Sequence, residues 1–286
     1  MTLVYKMTMK LNKVYVIYLK PHSKEEEETL ALVYKVLNKS KISYVAFERK
    51  LFNETISKDV DLIIVVGGDG TFLRTSHYID KALMLGVNSN SKTKEGFFMQ
   101  CNKQNFEEKF NNLLKGNFKT LNLLRLEAKI NGATLYPALN DLFIGHQLPY
   151  KISKFEFSLN KDNEPNNKYG NKHNNTKNVI NEFQKCSGLI LSTPAGSSGW
   201  AVSAGGKKLN LSSETWEYVI REQYEGKLHK HRLNNGELSK KDMIKVKILE
   251  PAHILSIDSI NDFKLKQGDV VTVKVSDKTL KYIQIK

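Results

Sequence analysis

An α/β domain with a mainly parallel sheet, followed by a mostly-β domain, is the architecture this sequence predicts. Three observations carry it. Strand-like and helix-like segments alternate through the first 118 residues, the pattern of a layered α/β fold. One of those strands, residues 62–66, is apolar at every position, as in a strand buried on both faces of a parallel sheet. Past Leu121 the segments become short β-rich runs separated by turn residues. The boundary is expected near residues 118–121, giving an α/β domain over 1–120 and a β-rich domain over 121–286.

In chain order, residues 14–19 form a β-branched and aromatic run that predicts the first strand. Ser23 and Glu26 have the spacing of a capping box, so a helix is expected to follow as far as Leu37. Residues 42–47 and 62–66 predict the next strands, 71–79 a helix, 82–87 another buried strand and 106–114 a further helix. Residues 124–130 and 135–144 flank Asn131-Gly132, the signature of a hairpin turn. Further strands are expected at 155–159, 188–192, 243–249, 254–257, 270–275 and 281–285. Residues 216–224 predict an irregular surface segment or a subunit contact. Residues 161–178 hold seven Asn and four Lys and predict a polar inserted loop.

The chain has 286 residues, 40% hydrophobic and 26% charged. That composition folds and excludes wholesale disorder. Its length supports a core without disulfide or metal staples. Cys101 and Cys186 are the two cysteines, too few for a disulfide framework and suited to a reducing compartment. No apolar run approaches the roughly 18 residues of a membrane span, and residues 1–13 lack a secretory pattern. A cytoplasmic location without membrane or nucleic-acid partners is therefore expected. The net charge of +14 favours anionic ligands, but no Arg cluster or nucleic-acid motif accompanies it. His229, Lys230 and His231 lie close in sequence without a third metal ligand nearby. Asn53 and Asn174 head glycosylation sequons that carry no meaning without secretion.

The loop 67–71, Gly-Gly-Asp-Gly-Thr, joins a buried strand to a helix. Ligands bind at the carboxyl ends of parallel strands, and a helix start favours anions. Gly67, Gly68 and Gly70 let the backbone approach a phosphate. The loop is neither a Walker loop nor the spaced dinucleotide fingerprint. Asp69 is the informative residue. A carboxylate beside phosphate is repulsive unless a divalent cation offsets it or it accepts a hydroxyl proton, and both situations arise in phosphoryl transfer to an alcohol. The bland alternative is that Asp69 or Thr71 only caps the helix. Arg74, one turn on, could face the same phosphates.

Residues 65–73, VVGGDGTFL, resemble the loop shared by NAD kinases, 6-phosphofructokinases, and diacylglycerol and sphingosine kinases. Residues 187–206, SGLILSTPAGSSGWAVSAGG, resemble the small-residue motif with which NAD kinases line the dinucleotide pocket. Asn140-Asp141 is similar to that family's Asn-Glu/Asp pair. Residues 255–258 and 265–273 resemble its late strands. The similarity runs from about Asp61 to Ile285, with the Asn-rich loop as an insertion. Ser187 stands where an Asp is common, Trp200 where a Tyr is usual, and Lys151 where an Arg is common. Residues 89–95 lengthen a link that is usually short. These features look closer to the mitochondrial-type branch.

The resemblance implies phosphorylation of the adenosine ribose 2′-hydroxyl of NAD, with an active site between the two domains. Asp69 is then the catalytic residue. Gly67, Gly68, Gly70, Thr71 and Arg74 are assigned to the donor. Asn140, Asp141, Lys151, Ser187, Ser198, Gly199, Trp200, Ala201 and Ser203 are assigned to the dinucleotide, with Trp200 offering a stacking face. It also implies ATP or another phosphate donor, Mg²⁺, and a homodimer or homotetramer. NAD against NADH, and ATP against polyphosphate, stay open. Two rivals are a diacylglycerol or sphingosine-type lipid kinase and a dinucleotide sensor that binds without turnover.

Overall fold

The computed structural model describes residues 11–161, 178–227 and 230–285. In chain order the elements are β1 (Val14–Tyr18), α1 (Lys24–Lys39), β2 (Tyr44–Glu48), β3 (Leu62–Gly67), α2 (Asp69–Ser76), β4 (Leu83–Asn88), β5 (Met99–Asn102), α3 (Phe106–Leu114) and β6 (Lys119–Leu123). Then come β7 (Leu126–Ile130), β8 (Ala133–Thr134), β9 (Asp141–His146), β10 (Ser153–Lys161), β11 (Asn178–Cys186), β12 (Gly188–Ser192) and α4 (Trp200–Ser203). The remainder are β13 (Trp216–Arg221), β14 (Asn235–Leu238), β15 (Met243–Ile248), β16 (His253–Ile257), β17 (Asn261–Leu265), β18 (Val270–Val275) and β19 (Leu280–Gln284).

The chain divides into two compact units, residues 1–123 with 279–286, and residues 124–278. This differs from a single cut at 120/121 because the last strand returns to the first sheet. There β19 pairs parallel with β4 and antiparallel with β6.

The first unit is the expected α/β layer. Its sheet runs β2-β1-β3-β4-β19-β6, with β5 on β4, and β1, β2, β3, β4 and β5 pair in parallel. Residues from β1, β3 and β4 share one core with Leu30, Val33 and Leu37 of α1 and Phe106, Phe110 and Leu113 of α3. Ser23 caps α1 as expected, but the return bond of the capping box is displaced. Glu26 accepts the N–H of His22, not that of Ser23. The helix after β3 starts at Asp69 and ends at Ser76, earlier at both ends than 71–79. Gly68, in extended conformation, serves as N-cap directly after the strand. Phe72 anchors α2 by stacking on Phe98, ring centroids 4.9 Å apart.

The second unit contains two antiparallel sheets, β11-β10-β15-β18-β7-β8 and β14-β13-β12-β9-β16-β17. Alternate side chains of both, among them Phe155, Phe157, Leu189, Leu191, Trp216 and Val246, fill one core. Two expectations are corrected here. The run 135–144 is not one hairpin arm: β8 has two residues, and β9 pairs with β12 and β16 in the other sheet. Residues 216–221 are not an irregular surface segment but a strand in which Trp216 is fully buried, its ring N–H donating to Ser239 O. The Asn-rich loop 161–178, apart from its two end residues, lies outside the described residues, as do Asn174 and His229. Among the described residues no helix is long and apolar enough to cross a membrane.

Candidate active site

The sequence places Asp69 at the first position of α2, directly after the strand. There a carboxylate could cap the helix, but it does not: Gly68 is the cap and makes no side-chain bond. The Asp69 carboxylate reaches instead to the segment before β5. Oδ2 accepts the Phe97 N–H at 3.0 Å and Oδ1 the Phe98 N–H at 2.9 Å. A carboxylate offers about four acceptor positions, so two N–H donors fix its orientation and leave capacity for a substrate hydroxyl. The side chain is half-buried and borders a pocket of about 400 Å³ lined by Leu19, Arg49, Gly68, Gly70, Thr71 and Lys94, with Glu95 at its edge.

The glycine loop is built by close approach. A Cβ on Gly67 would lie 2.7 Å from Thr71 Oγ1, closer than contact allows, so this position requires glycine. Gly70 is open on its Cβ side. A helix start carries N–H groups without intrahelical partners and the positive end of the helix dipole. Arg74 lies in the last turn of α2, and its guanidinium is close enough to Arg49 to act on it electrostatically.

Two residues of this pocket were missed by the sequence reading. Arg49 follows β2 and donates from Nη1 to Thr71 Oγ1 at 3.3 Å. Lys94 lies in the lengthened link 89–95. Its ammonium pairs with Glu26 and donates to Ser89 Oγ at 2.7 Å. Burial pushes the Glu26 carboxyl up, but the Lys94 ammonium and the His22 N–H outweigh it, and its pKa lies below the usual value. A lone Arg after a strand and a Lys in a polar link carry no local pattern, so only the fold reveals them.

Mg²⁺, implied by the resemblance, finds no cage here. Among the described residues no group of three His, Cys, Asp or Glu side chains could hold a metal ion.

The second unit gathers most of the residues assigned to the dinucleotide. Asp258 accepts the N–H groups of Leu139, Asn140 and Asp141 at 2.8–3.0 Å, fixing the turn that opens β9. Asn140 Oδ1 is buried without a partner, a condition that costs stability unless a ligand or water supplies a donor. The Asp141 carboxyl is pushed up to about 7, by burial first and by the Asp258 carboxylate second. Thr193 holds the facing segment by donating to Leu139 O at 2.6 Å. Gly196 comes so near that a Cβ on it would lie 2.2 Å from Asn140 O.

Ser198 ends a 3-10 turn before α4 and is half-buried, and Gly199, exposed, is the N-cap of α4. Ser203, exposed, donates to Gly199 O. Ala201 is fully buried against Ile190 and Val219, a packing position. Trp200 rests on Phe143, ring centroids 4.9 Å apart, and the Arg221 guanidinium lies 5.3 Å from its ring. Its stacking partners in this structure are therefore these two side chains. The Ser187 N–H donates to Arg221 O at 3.0 Å. Lys151 is exposed in the turn after β9. Cys101 and Cys186 are free and buried, and burial pushes both thiols up to about 12, which leaves them unreactive.

The ATP-NAD kinase N-terminal domain family matches residues 3–118. A probable NADH kinase of Oryza sativa subsp. japonica is 33% identical over 225 residues, covering 72% of this chain and 64% of its own length. The chain thus spans less than two thirds of that relative. A yeast NADH kinase solved with NADH superposes with a TM-score of 0.77 at 17% identity, covering 96% of this chain and 84% of that one. An NAD kinase from Archaeoglobus fulgidus solved with ATP gives 0.72 at 18% identity, covering 96% and 94%. At those identities the two structures show a shared fold. The assignment rests on the matched domain and the plant relative: residues 3–118 belong to the ATP-NAD kinase N-terminal domain family.

Proposed function

We propose that the chain transfers the terminal phosphoryl group of ATP to the 2′-hydroxyl of the adenosine ribose of NAD, giving NADP. The observation that carries this reading is the Asp69 carboxylate, held by two backbone N–H groups at the rim of a pocket formed by the glycine loop. Asp69 accepts the proton of the attacking hydroxyl. The start of α2 binds donor phosphate, and Arg74 adds positive charge. Phosphoryl transfer needs little beyond positioning and charge stabilisation, so this small set suffices. Any Mg²⁺ would be held by the triphosphate and water, as is usual for this ion. Asn140, with its unpartnered buried oxygen, and Asp141 recognise the dinucleotide, together with Ser187, Ser198, Gly199, Trp200, Ser203 and Lys151. The two buried thiols suit a reducing compartment, in keeping with a cytoplasmic enzyme, and the assembly is a homodimer or homotetramer.

A coupled assay tests the reading. NAD or NADH is supplied with ATP or polyphosphate, and the phosphorylated dinucleotide is detected. NADP or NADPH formation supports it. A lipid alcohol phosphorylated in place of the dinucleotide, or calorimetric binding of NAD without product, refutes it.

A further inference from the structure

The parallel sheet brings the carboxyl ends of β1, β2 and β3 to one edge, and each contributes to the pocket. Leu19 follows β1, Arg49 follows β2 and Gly68 follows β3. Backbone bonds pin the first two: Leu19 N–H donates to Val66 O at 3.2 Å and Arg49 N–H to Tyr18 O at 2.8 Å. Arg49 is therefore placed by main chain, not by a mobile loop. Its Nη1 donates to Thr71 Oγ1, inside the glycine motif. Its Nε is buried and has no hydrogen-bond partner.

Among the described residues no carboxylate forms an ion pair with Arg49 or Arg74. The acidic group acting on Arg49 is its chain neighbour Glu48, and Asp69 is bonded to Phe97 and Phe98. Burial, and then the Arg74 cation, disfavour the charged guanidinium, with Glu48 offsetting part of this. Two guanidinium groups near each other, one with a buried unused donor, form an arrangement that an arriving anion stabilises. A guanidinium fork matches phosphate oxygens in bidentate geometry.

We infer that Arg49 is a donor-binding residue, gripping the phosphate chain of the phosphoryl donor together with Arg74. This rests on the phosphotransferase reading of the same pocket. The ligand chemistry is a linear triphosphate, whether of a nucleotide or inorganic.

The test compares Arg49→Met and Arg49→Lys with the wild-type protein. A lost charge-assisted contact raises the KM and Kd for ATP by at least about tenfold. Arg49→Met shows that rise with the KM for NAD changed less than twofold, and Arg49→Lys recovers part of it. Unchanged ATP affinity in a folded Arg49→Met protein overturns the assignment. Phenylglyoxal labelling of the wild-type protein, resolved by mass spectrometry, covers the case of a variant that does not fold. Inorganic tripolyphosphate protects Arg49 and NAD alone does not; equal labelling with and without tripolyphosphate overturns the assignment. If the wild-type chain forms no NADP yet tripolyphosphate protects Arg49, the functional reading fails and the anion site stands. If NADP forms and neither protection nor an ATP effect is seen, the reverse holds.

Discussion

The Asp69 carboxylate accepts the backbone N–H of Phe98 at 2.9 Å. This bond, with its twin from Phe97, ties the start of α2 to a segment some 29 residues further along the chain. A side chain that would otherwise be a free rotor, or a helix cap, is thereby aimed by main chain, so its geometry survives substitution of neighbouring side chains but not distortion of that backbone.

Gly96 tests this dependence. It has a φ of +75°, and a Cβ there would lie 2.6 Å from Asn88 Nδ2. Asn88 in turn donates to Lys94 O and so holds the link 89–95. Gly96→Ala strains the turn that delivers the Phe97 and Phe98 N–H groups. The expected cost is about 1–3 kcal/mol of stability, with a several-fold loss of turnover, read from denaturant unfolding and steady-state rates.

The carboxyl of Asp258 holds three N–H groups of the second unit. Asp258→Ala leaves them without that partner, at a cost of about 3 kcal/mol or more. It also frees Asn140 and Asp141 to move, so the KM for NAD rises more than the KM for ATP. Equal effects on both substrates contradict the placement.

Asp141 gives a pH dependence of definite sign. Its folded carboxyl titrates near 7, raised by burial and then by Asp258, whereas an unfolded Asp titrates near 4. Between those values the folded protein holds a proton that the unfolded chain has lost. Stability present below about pH 4 therefore falls as pH rises through 7, with a slope of at most about 1.4 kcal/mol per pH unit. Asp141→Asn removes this component. Urea unfolding at pH 5 and pH 8 shows a smaller difference in the variant than in the wild type; an unchanged difference refutes it.

Gly196→Ala checks the close approach to Asn140 O, only 2.2 Å from the added Cβ. Overpacking of this kind costs about 1–3 kcal/mol. Differential scanning calorimetry shows the loss, and a weaker NAD affinity accompanies it.

Much of the frame was legible in the sequence because the informative patterns are local. The period of 106–114 and the apolar runs 188–192 and 270–275 give α3, β12 and β18 at their observed bounds. The strands β5, β6, β11, β14 and β17 escaped. They are short or polar, and β11, β14 and β17 lie at sheet edges, so too few positions carry apolar residues for the alternation of a half-buried strand to show. Residues 216–221 read as irregular because Glu217 interrupts the apolar run, yet Glu217 is buried and accepts the Lys207 N–H. The glycine loop and Asp69 were visible as a motif. What holds Asp69, and what Arg49 and Lys94 do, depends on pairing between distant segments that no window of sequence contains.

The role of Asp69 is tested most directly by the turnover of Asp69→Asn with ATP and NAD, beside circular dichroism and calorimetric binding of both substrates. A proton acceptor at this position predicts a fall in kcat of about 10²-fold or more, with the fold and substrate binding retained. Turnover near that of the wild type in a folded variant contradicts the account.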